Sequence, residues 1–115
     1  MIESIEETTL ATKDHIRLVN DTLRVMVPYL PRPHMCVITR RVQALTQESK
    51  EKLFNKIRTY SDFSSENDPY LEHDAGWVDV YGEHYMWKFD YYDENFENLM
   101  EDGTRVMTIM HTSEY

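Results

Sequence analysis

Several kinds of residue are scarce in this chain, and each scarcity argues against a class of protein. Cys36 is the only cysteine, so no intramolecular disulfide can form and a reducing compartment is expected. Three glycines leave little room for a phosphate-binding loop, and no serine or cysteine lies in a nucleophile elbow. No apolar run is long enough to cross a bilayer, and the acidic start MIESIEE lacks the basic and apolar regions of a signal peptide. We therefore expect a cytoplasmic protein with no membrane association.

Positive charge is scarce in the second half of the chain. Residues 61–102 contain 13 acidic residues and one base, Lys88, a net charge of −12, whereas residues 1–60 carry +3. An acidic segment of this kind repels nucleic-acid phosphate and attracts basic proteins or cations. We therefore predict no direct contact with nucleic acid. A solvated acidic surface that only aids solubility is the simpler alternative.

The length of 115 residues predicts one domain, residues 1–115, with residues 1–11 as a lead-in before the first helix. That helix is predicted from Thr12, its N-cap, to Val27, where Pro28 ends it. A second helix is predicted from Thr46, its N-cap, to Tyr60. Apolar residues recur at helical spacing in both, which indicates one buried stripe on each.

Four segments rich in β-branched and aromatic residues are predicted as strands: 35–40, 76–81, 84–92 and 104–112. The last has apolar residues on both faces, which is typical of a central strand. The predicted fold is α+β, with two helices packed on one face of a mainly antiparallel sheet of about four strands. Residues 94–102 fit either a short helix or a loop.

The second and third strands are predicted to form a hairpin. Gly82-Glu83 reads as a two-residue type II′ turn, which pairs Tyr81 with His84 and Trp77 with Lys88. Side chains alternate along a strand, so one face of the hairpin should enter the core. That face carries Val78, Val80, Tyr85, Trp87, Phe89 and Tyr91. The other carries Trp77, Asp79, Tyr81, His84, Met86 and Lys88, with a cation–π contact expected between Trp77 and Lys88.

The densest group of potential metal ligands is Asn67, Asp68, Glu72, His73 and Asp74. One interpretation is a metal-dependent hydrolase that uses Asp68, His73 and Asp74. The other is structural, with Asn67 and Asp68 stabilising a turn around Pro69 and His73 bonding a backbone carbonyl. We favour the structural interpretation and predict no cofactor, no metal and no catalytic residue. The lone Cys36 is predicted to be a buried thiol, because no sequence feature lowers its pKa.

Three blocks resemble a family of small proteobacterial proteins, domain-of-unknown-function family 3768. They are NDPYLEHDAG (67–76), MWKFDYYD (86–93) and TRVMTIMHTSEY (104–115), in the family's order, and RVQAL (41–45) is also similar. Leu71 stands where the family pattern has glycine, and Ala75 where it has phenylalanine. The resemblance implies occurrence on bacterial chromosomes, plasmids and phage-like elements. It implies no established activity.

Together these features predict a non-enzymatic acidic interaction protein that binds and inhibits a basic, nucleic-acid-binding partner protein. A mobile-element inhibitor of a host defence complex would be one instance. Homodimerisation through an exposed sheet edge is a further option. The predicted partner-binding residues are Trp77, Asp79, Tyr81, Glu83, Asp90, Tyr91, Tyr92, Asp93, Glu94 and Glu97.

Overall fold

The computed structural model describes residues 2–96, 98, 100 and 102–115, with side chains from Lys13 onward. Within these residues, three helices and four strands follow one another. They are α1 (Ile2–Arg24), β1 (Met35–Ile38), α2 (Arg40–Gln43), α3 (Gln47–Arg58), β2 (Ala75–Val80), β3 (Glu83–Tyr92) and β4 (Thr104–His111), and a 3₁₀ turn (Thr112–Glu114) comes after β4. No helix in the described part of the chain is long and apolar enough to cross a membrane.

Helix α1 begins ten residues earlier than predicted. It starts at Ile2, so residues 2–11 are helical and Thr12 lies inside the helix, not at its N-cap. The prediction was wrong because each threonine in a helix costs at most about 0.7 kcal/mol relative to alanine. A cost of this size does not end a helix. The helix ends at Arg24, and the chain turns before Pro28.

Helix α3 agrees closely with its prediction. Thr46 is the N-cap, and its side-chain oxygen accepts a hydrogen bond from the backbone N–H of Ser49. Leu53, Phe54 and Ile57 form its buried face. The short helix α2 was not predicted, because four residues carry too little pattern to be recognised. Val42 is its one buried residue.

The four strands form one mixed sheet in the order β1-β4-β3-β2. β4 is internal, as predicted, and pairs parallel with β1 and antiparallel with β3. β2 pairs antiparallel with β3. The predicted α+β class and mainly antiparallel sheet are confirmed.

The hairpin turn lies one residue earlier than predicted. Its two loop residues are Tyr81 and Gly82, with φ of 50° and 80°, and positive φ at both positions is the signature of a type I′ turn. Trp77 therefore pairs with Met86, not with Lys88. Each residue of β2 pairs with a residue of β3 two positions earlier than predicted. Because side chains alternate between the faces with a period of two, each side chain keeps its predicted face. The expected contact between Trp77 and Lys88 is replaced by an ion pair of Lys88 with Asp90.

The two faces of the sheet have different surroundings. The covered face packs against α1 and α3 and carries Cys36, Ile38, Gly76, Val78, Val80, Tyr85, Trp87, Phe89, Tyr91, Arg105, Met107, Ile109 and His111. The open face carries Met35, Val37, Ala75, Trp77, Asp79, His84, Met86, Lys88, Asp90, Tyr92, Thr104, Val106, Thr108 and Met110. Trp87 is fully buried, and Tyr60 and Phe89 contact it edge-on with ring centroids 5.4 and 5.9 Å away. The core therefore lies between the covered face and the two long helices.

Candidate functional site

The loop between α3 and β2, residues 61–74, is held by its own polar side chains. Asn67 accepts a hydrogen bond from the backbone N–H of Ser64 and donates one to the carbonyl of Asp62. Oδ1 of the buried Asp68 accepts from the backbone N–H groups of Glu72 and His73, both at 3.1 Å. These bonds confirm the predicted turn around Pro69, because they satisfy the backbone where the chain reverses.

His73 lies between two carboxylates instead of bonding a backbone carbonyl. Its Nδ1 is 2.9 Å from Oδ1 of Asp21 on α1, and its Nε2 is 3.4 Å from Oδ2 of Asp68. The imidazole also stacks on Phe63, with ring centroids 3.7 Å apart and planes 1° from parallel. Arg24 donates to the same Asp21 oxygen and lies over Phe63. His73 thus joins the loop to α1 through charged and aromatic contacts.

Most of the potential metal-binding atoms of this cluster contact one another or the backbone. Within the described residues, no three His, Cys, Asp or Glu side chains are arranged to hold a metal ion. Asp68 uses Oδ1 for two backbone amides, and His73 already has a carboxylate beside each ring nitrogen. The carboxyl group of Asp74 is half-buried, and this burial raises its pKa, as do the charges of Asp68 and Asp90. Oδ1 of Asp68 and the ring nitrogens of His73 are thus used to build the loop, whereas Oδ2 of Asp68 is buried without a hydrogen-bond partner in the described structure.

Cys36 has the properties of an unreactive thiol. Its side chain lies on the covered face, and burial raises its pKa to about 11. A thiol with this pKa stays protonated at neutral pH and is a poor nucleophile.

The predicted partner-binding residues do not form one surface. Tyr81 and Glu83 lie at the hairpin turn, where the Tyr81 hydroxyl donates to Glu48 and its ring lies under Lys52. Glu83 pairs there with Arg41 at 3.3 Å. Trp77, Asp79, Asp90 and Tyr92 lie on the open face, and Asp93 and Glu94 begin the loop at the far end of β3. Glu97 is outside the described residues.

Tyr91 faces the opposite way from the surface proposed for it. Its side chain lies on the covered face, where its hydroxyl accepts a hydrogen bond of 2.8 Å from Nδ2 of Asn20. Burial raises the pKa of this phenol well above its usual range. Tyr91 is therefore a structural residue that anchors α1 to the sheet.

A buried polar network that sequence reasoning missed surrounds Tyr91. Asn20 is fully buried, and its Oδ1 accepts from Nε of Arg105 at 3.0 Å. Arg105, 3% exposed, also donates to Asp102 at 2.7 Å and lies over the Tyr91 ring. The arginine in the closing strand block was the available signal, since it interrupts an otherwise apolar alternation on β4.

Two acidic loops lie at the same end of β3. The loop 61–74 reaches it through a hydrogen bond from the Phe89 N–H to the Asp74 carbonyl, 2.7 Å long. The loop 93–103 follows β3 directly, and the Met100 N–H donates to the Tyr91 carbonyl at 3.0 Å. Its described residues are turns, bends or irregular, so the described part of 94–102 forms a loop and not a helix. We call this region, residues 61–74 and 93–103, the acidic end.

These features define a small α+β protein with an open-faced sheet and an acidic end. Residues 38–114 match the family DUF3768, described as a protein of unknown function, and this match covers most of the chain. The chain therefore belongs to that family, in agreement with the resemblance of its sequence blocks. No curated protein and no solved structure matches it.

Proposed function

We propose that this chain is a non-enzymatic interaction protein whose acidic end binds a basic, nucleic-acid-binding protein and blocks it. The observation that carries the proposal is the placement of the two acidic loops. Both flank the far end of β3, and among the described residues no salt bridge joins Asp62, Glu66 or Glu94 to the lysines of α3. The charge of these loops is thus not neutralised by the most basic helix of the molecule.

The bases near the acidic end are largely used inside the fold. Arg24 and Arg105 are both less than 10% exposed and pair with Asp21 and Asp102. The carboxylates of Asp62, Glu66 and Glu94, by contrast, are exposed. A partner approaching this end meets negative side chains on the surface, while the guanidinium groups lie beneath it.

A partly buried aromatic residue borders this charge. Tyr92 lies at the end of β3 on the open face, and its ring is 6.3 Å from that of Phe96. Aromatic side chains beside charge are typical of contact surfaces, since they supply area at a low cost in conformational entropy. Phosphate and an acidic surface compete for the same basic groups, so occupation of the partner's basic groups would block nucleic-acid binding. A mobile-element inhibitor of a host defence complex remains one instance of this proposal.

The test is capture of proteins from bacterial lysate on the immobilised chain at about 50 and about 300 mM salt. Ionic strength in this range shortens the screening length from about 14 to about 6 Å, so an electrostatic complex should weaken strongly. The captured proteins, identified by mass spectrometry, should be nucleic-acid-binding, and added duplex DNA should compete for them. Capture that is indifferent to salt and to DNA contradicts the proposal.

A matched pair of variants locates the surface. The triple variant Asp62→Lys, Glu66→Lys and Glu94→Lys reverses the exposed charge of the acidic end and should abolish capture. The variant Glu48→Lys, Glu51→Lys and Glu83→Lys makes the same change of charge at exposed positions away from that end, and should retain it. Equal loss in both would mean that net charge alone, not the acidic end, governs binding.

A further inference from the structure

The open face of the sheet is apolar along its outer strand. Met35 and Val37 of the edge strand β1 are 46% and 44% exposed, and Trp77 on the opposite edge strand is 49% exposed. Trp77, Met86, Thr112 and Tyr115 line a shallow cleft at one corner of this face. Both long helices contribute their buried residues to the core on the other side. Met86 and Met110 on this face are already buried, so the side chains that a second layer would cover are those toward β1 and the Trp77 edge.

The register of the strands arranges the open face in rows. In one row Val37 lies opposite Thr108, which lies opposite Lys88. In the next row Met35 lies opposite Val106, which lies opposite Asp90. The two rows therefore carry opposite charges on β3 and apolar side chains on β1.

The charges on this face balance one another. Nζ of Lys88 is 2.6 Å from Oδ2 of Asp90, and Nδ1 of His84 is 2.5 Å from Oδ1 of Asp79. The hydrogen bond from Lys88 to Asp90, and then the charge of Asp90, raise the pKa of Lys88, which is charged at neutral pH. A basic partner gains little from a face with both signs, in contrast to the acidic end. A surface that carries positive and negative charges beside apolar side chains is suited to a partner surface with the same charges in the opposite order.

We propose that the open face binds a second copy of this chain around a two-fold axis at the level of Phe89. The axis lies between the two sheets and perpendicular to the strands, so that β3 of one copy crosses β3 of the other in the opposite direction. Each row then meets the other row of the partner copy. Lys88 faces Asp90, Val37 faces Met35 and Thr108 faces Val106, and each contact occurs twice by symmetry. Sheets that pack in this way lie about 10 Å apart, with side chains from the two faces in contact.

This inference is independent of the proposed function, because it uses a different face of the molecule. The acidic end lies at the edge of the two-fold interface and stays accessible to a basic protein. The dimer would present two acidic ends on opposite sides, since the axis reverses the strand direction. Loss of dimerisation and loss of partner capture are therefore separate outcomes.

Charge-reversal variants of the full chain provide the test, with sedimentation velocity measured up to about 1 mM chain. Lys88→Asp places four carboxylates at the centre of the interface, and Asp90→Lys places four ammonium groups there. Each variant alone should dissociate at least about tenfold more readily than the unmodified chain, by like-charge repulsion. An equimolar mixture of the two should restore the dimer as a mixed species. Circular dichroism melts establish that both variants are folded.

The Asp90→Lys variant separates this geometry from a general charge effect. It reduces the net negative charge of the chain from −9 to −7, so simple self-repulsion would predict a tighter dimer. The two-fold geometry predicts a weaker one. Val37→Glu should also weaken the dimer, whereas Leu18→Glu, at a 64% exposed position on α1, should not. An unmodified chain that is monomeric throughout, or an Asp90→Lys variant that dimerises more tightly, would overturn the proposal.

Discussion

The covered and open faces of the sheet come from the same strands but differ in what they bury. On the covered face Tyr85, Trp87, Phe89 and Ile109 are each less than 5% exposed. On the open face Met35, Val37 and Trp77 are nearly half exposed. Strand alternation separates these two sets, and the difference between the predicted and observed hairpin pairing is an even number of residues, which leaves each side chain on its own face. The comparison shows that one side of the same strands provides the core, while the other side leaves even a tryptophan half exposed.

The largest expected difference in stability between the two faces is that between substitutions of the two tryptophans. Trp87→Ala removes a fully buried ring in contact with Tyr60 and Phe89, and should lower the free energy of unfolding by about 3–5 kcal/mol. Trp77→Ala at its half-exposed position should lower it by less than about 1 kcal/mol. Urea unfolding followed by circular dichroism measures both. Similar losses would mean that the open face is as tightly packed as the covered face.

The polar network between α1 and the covered face should make the next largest contribution to the free energy of unfolding. Asn20→Ala leaves Nε of the buried Arg105 and the hydroxyl of Tyr91 without this partner, at a cost of about 2–3 kcal/mol. Thr22→Ala, on the exposed side of the same helix, should change stability by less than about 0.5 kcal/mol. The same urea measurement applies. An equally small loss for Asn20→Ala would show that α1 is held by its apolar residues alone.

The loop that borders the covered face contains a strained residue. Leu71 is 57% exposed and has φ of 56°, a left-handed conformation in which a side chain costs about 1–2 kcal/mol. Glycine, which the family pattern has at this position, avoids that cost but loses more entropy on folding. Leu71→Gly should therefore stabilise the chain by about 1 kcal/mol in thermal melts. Leu71→Ala keeps the Cβ atom and should not raise the melting temperature. If both variants raise it, the stabilisation comes from removal of the exposed leucine side chain and not from relief of backbone strain.

Local and periodic features of this fold could be predicted from the sequence, whereas contacts between distant residues could not. The Thr46 cap and the two faces of the hairpin depend on residues within a few positions of each other. The type I′ turn was missed because Tyr81 is an unusual residue for positive φ. The pair of Asp21 with His73 and the pair of Asn20 with Arg105 join residues 52 and 85 positions apart. The arginine in β4 indicates a buried polar group, but one sequence does not indicate which distant partner such a group will meet.

The smallest predicted effect is a pH dependence at the border of the covered face. Burial and the nearby carboxylates of Asp68 and Asp90 raise the pKa of Asp74 above its ordinary value of 3.8. Folding then favours the protonated acid. The contribution of Asp74 to stability is therefore fully present below pH 3.8 and is lost as the pH rises through the raised pKa of the folded state. Asp74→Asn keeps an acceptor oxygen without the charge, and should stabilise the chain at pH 7 and progressively less toward pH 3. Asp62→Asn removes an exposed charge and should stay within about 0.5 kcal/mol of the unmodified chain in the same urea titrations. A uniform shift at every pH for Asp74→Asn would mean that packing, not ionisation, separates this carboxylate from the exposed ones.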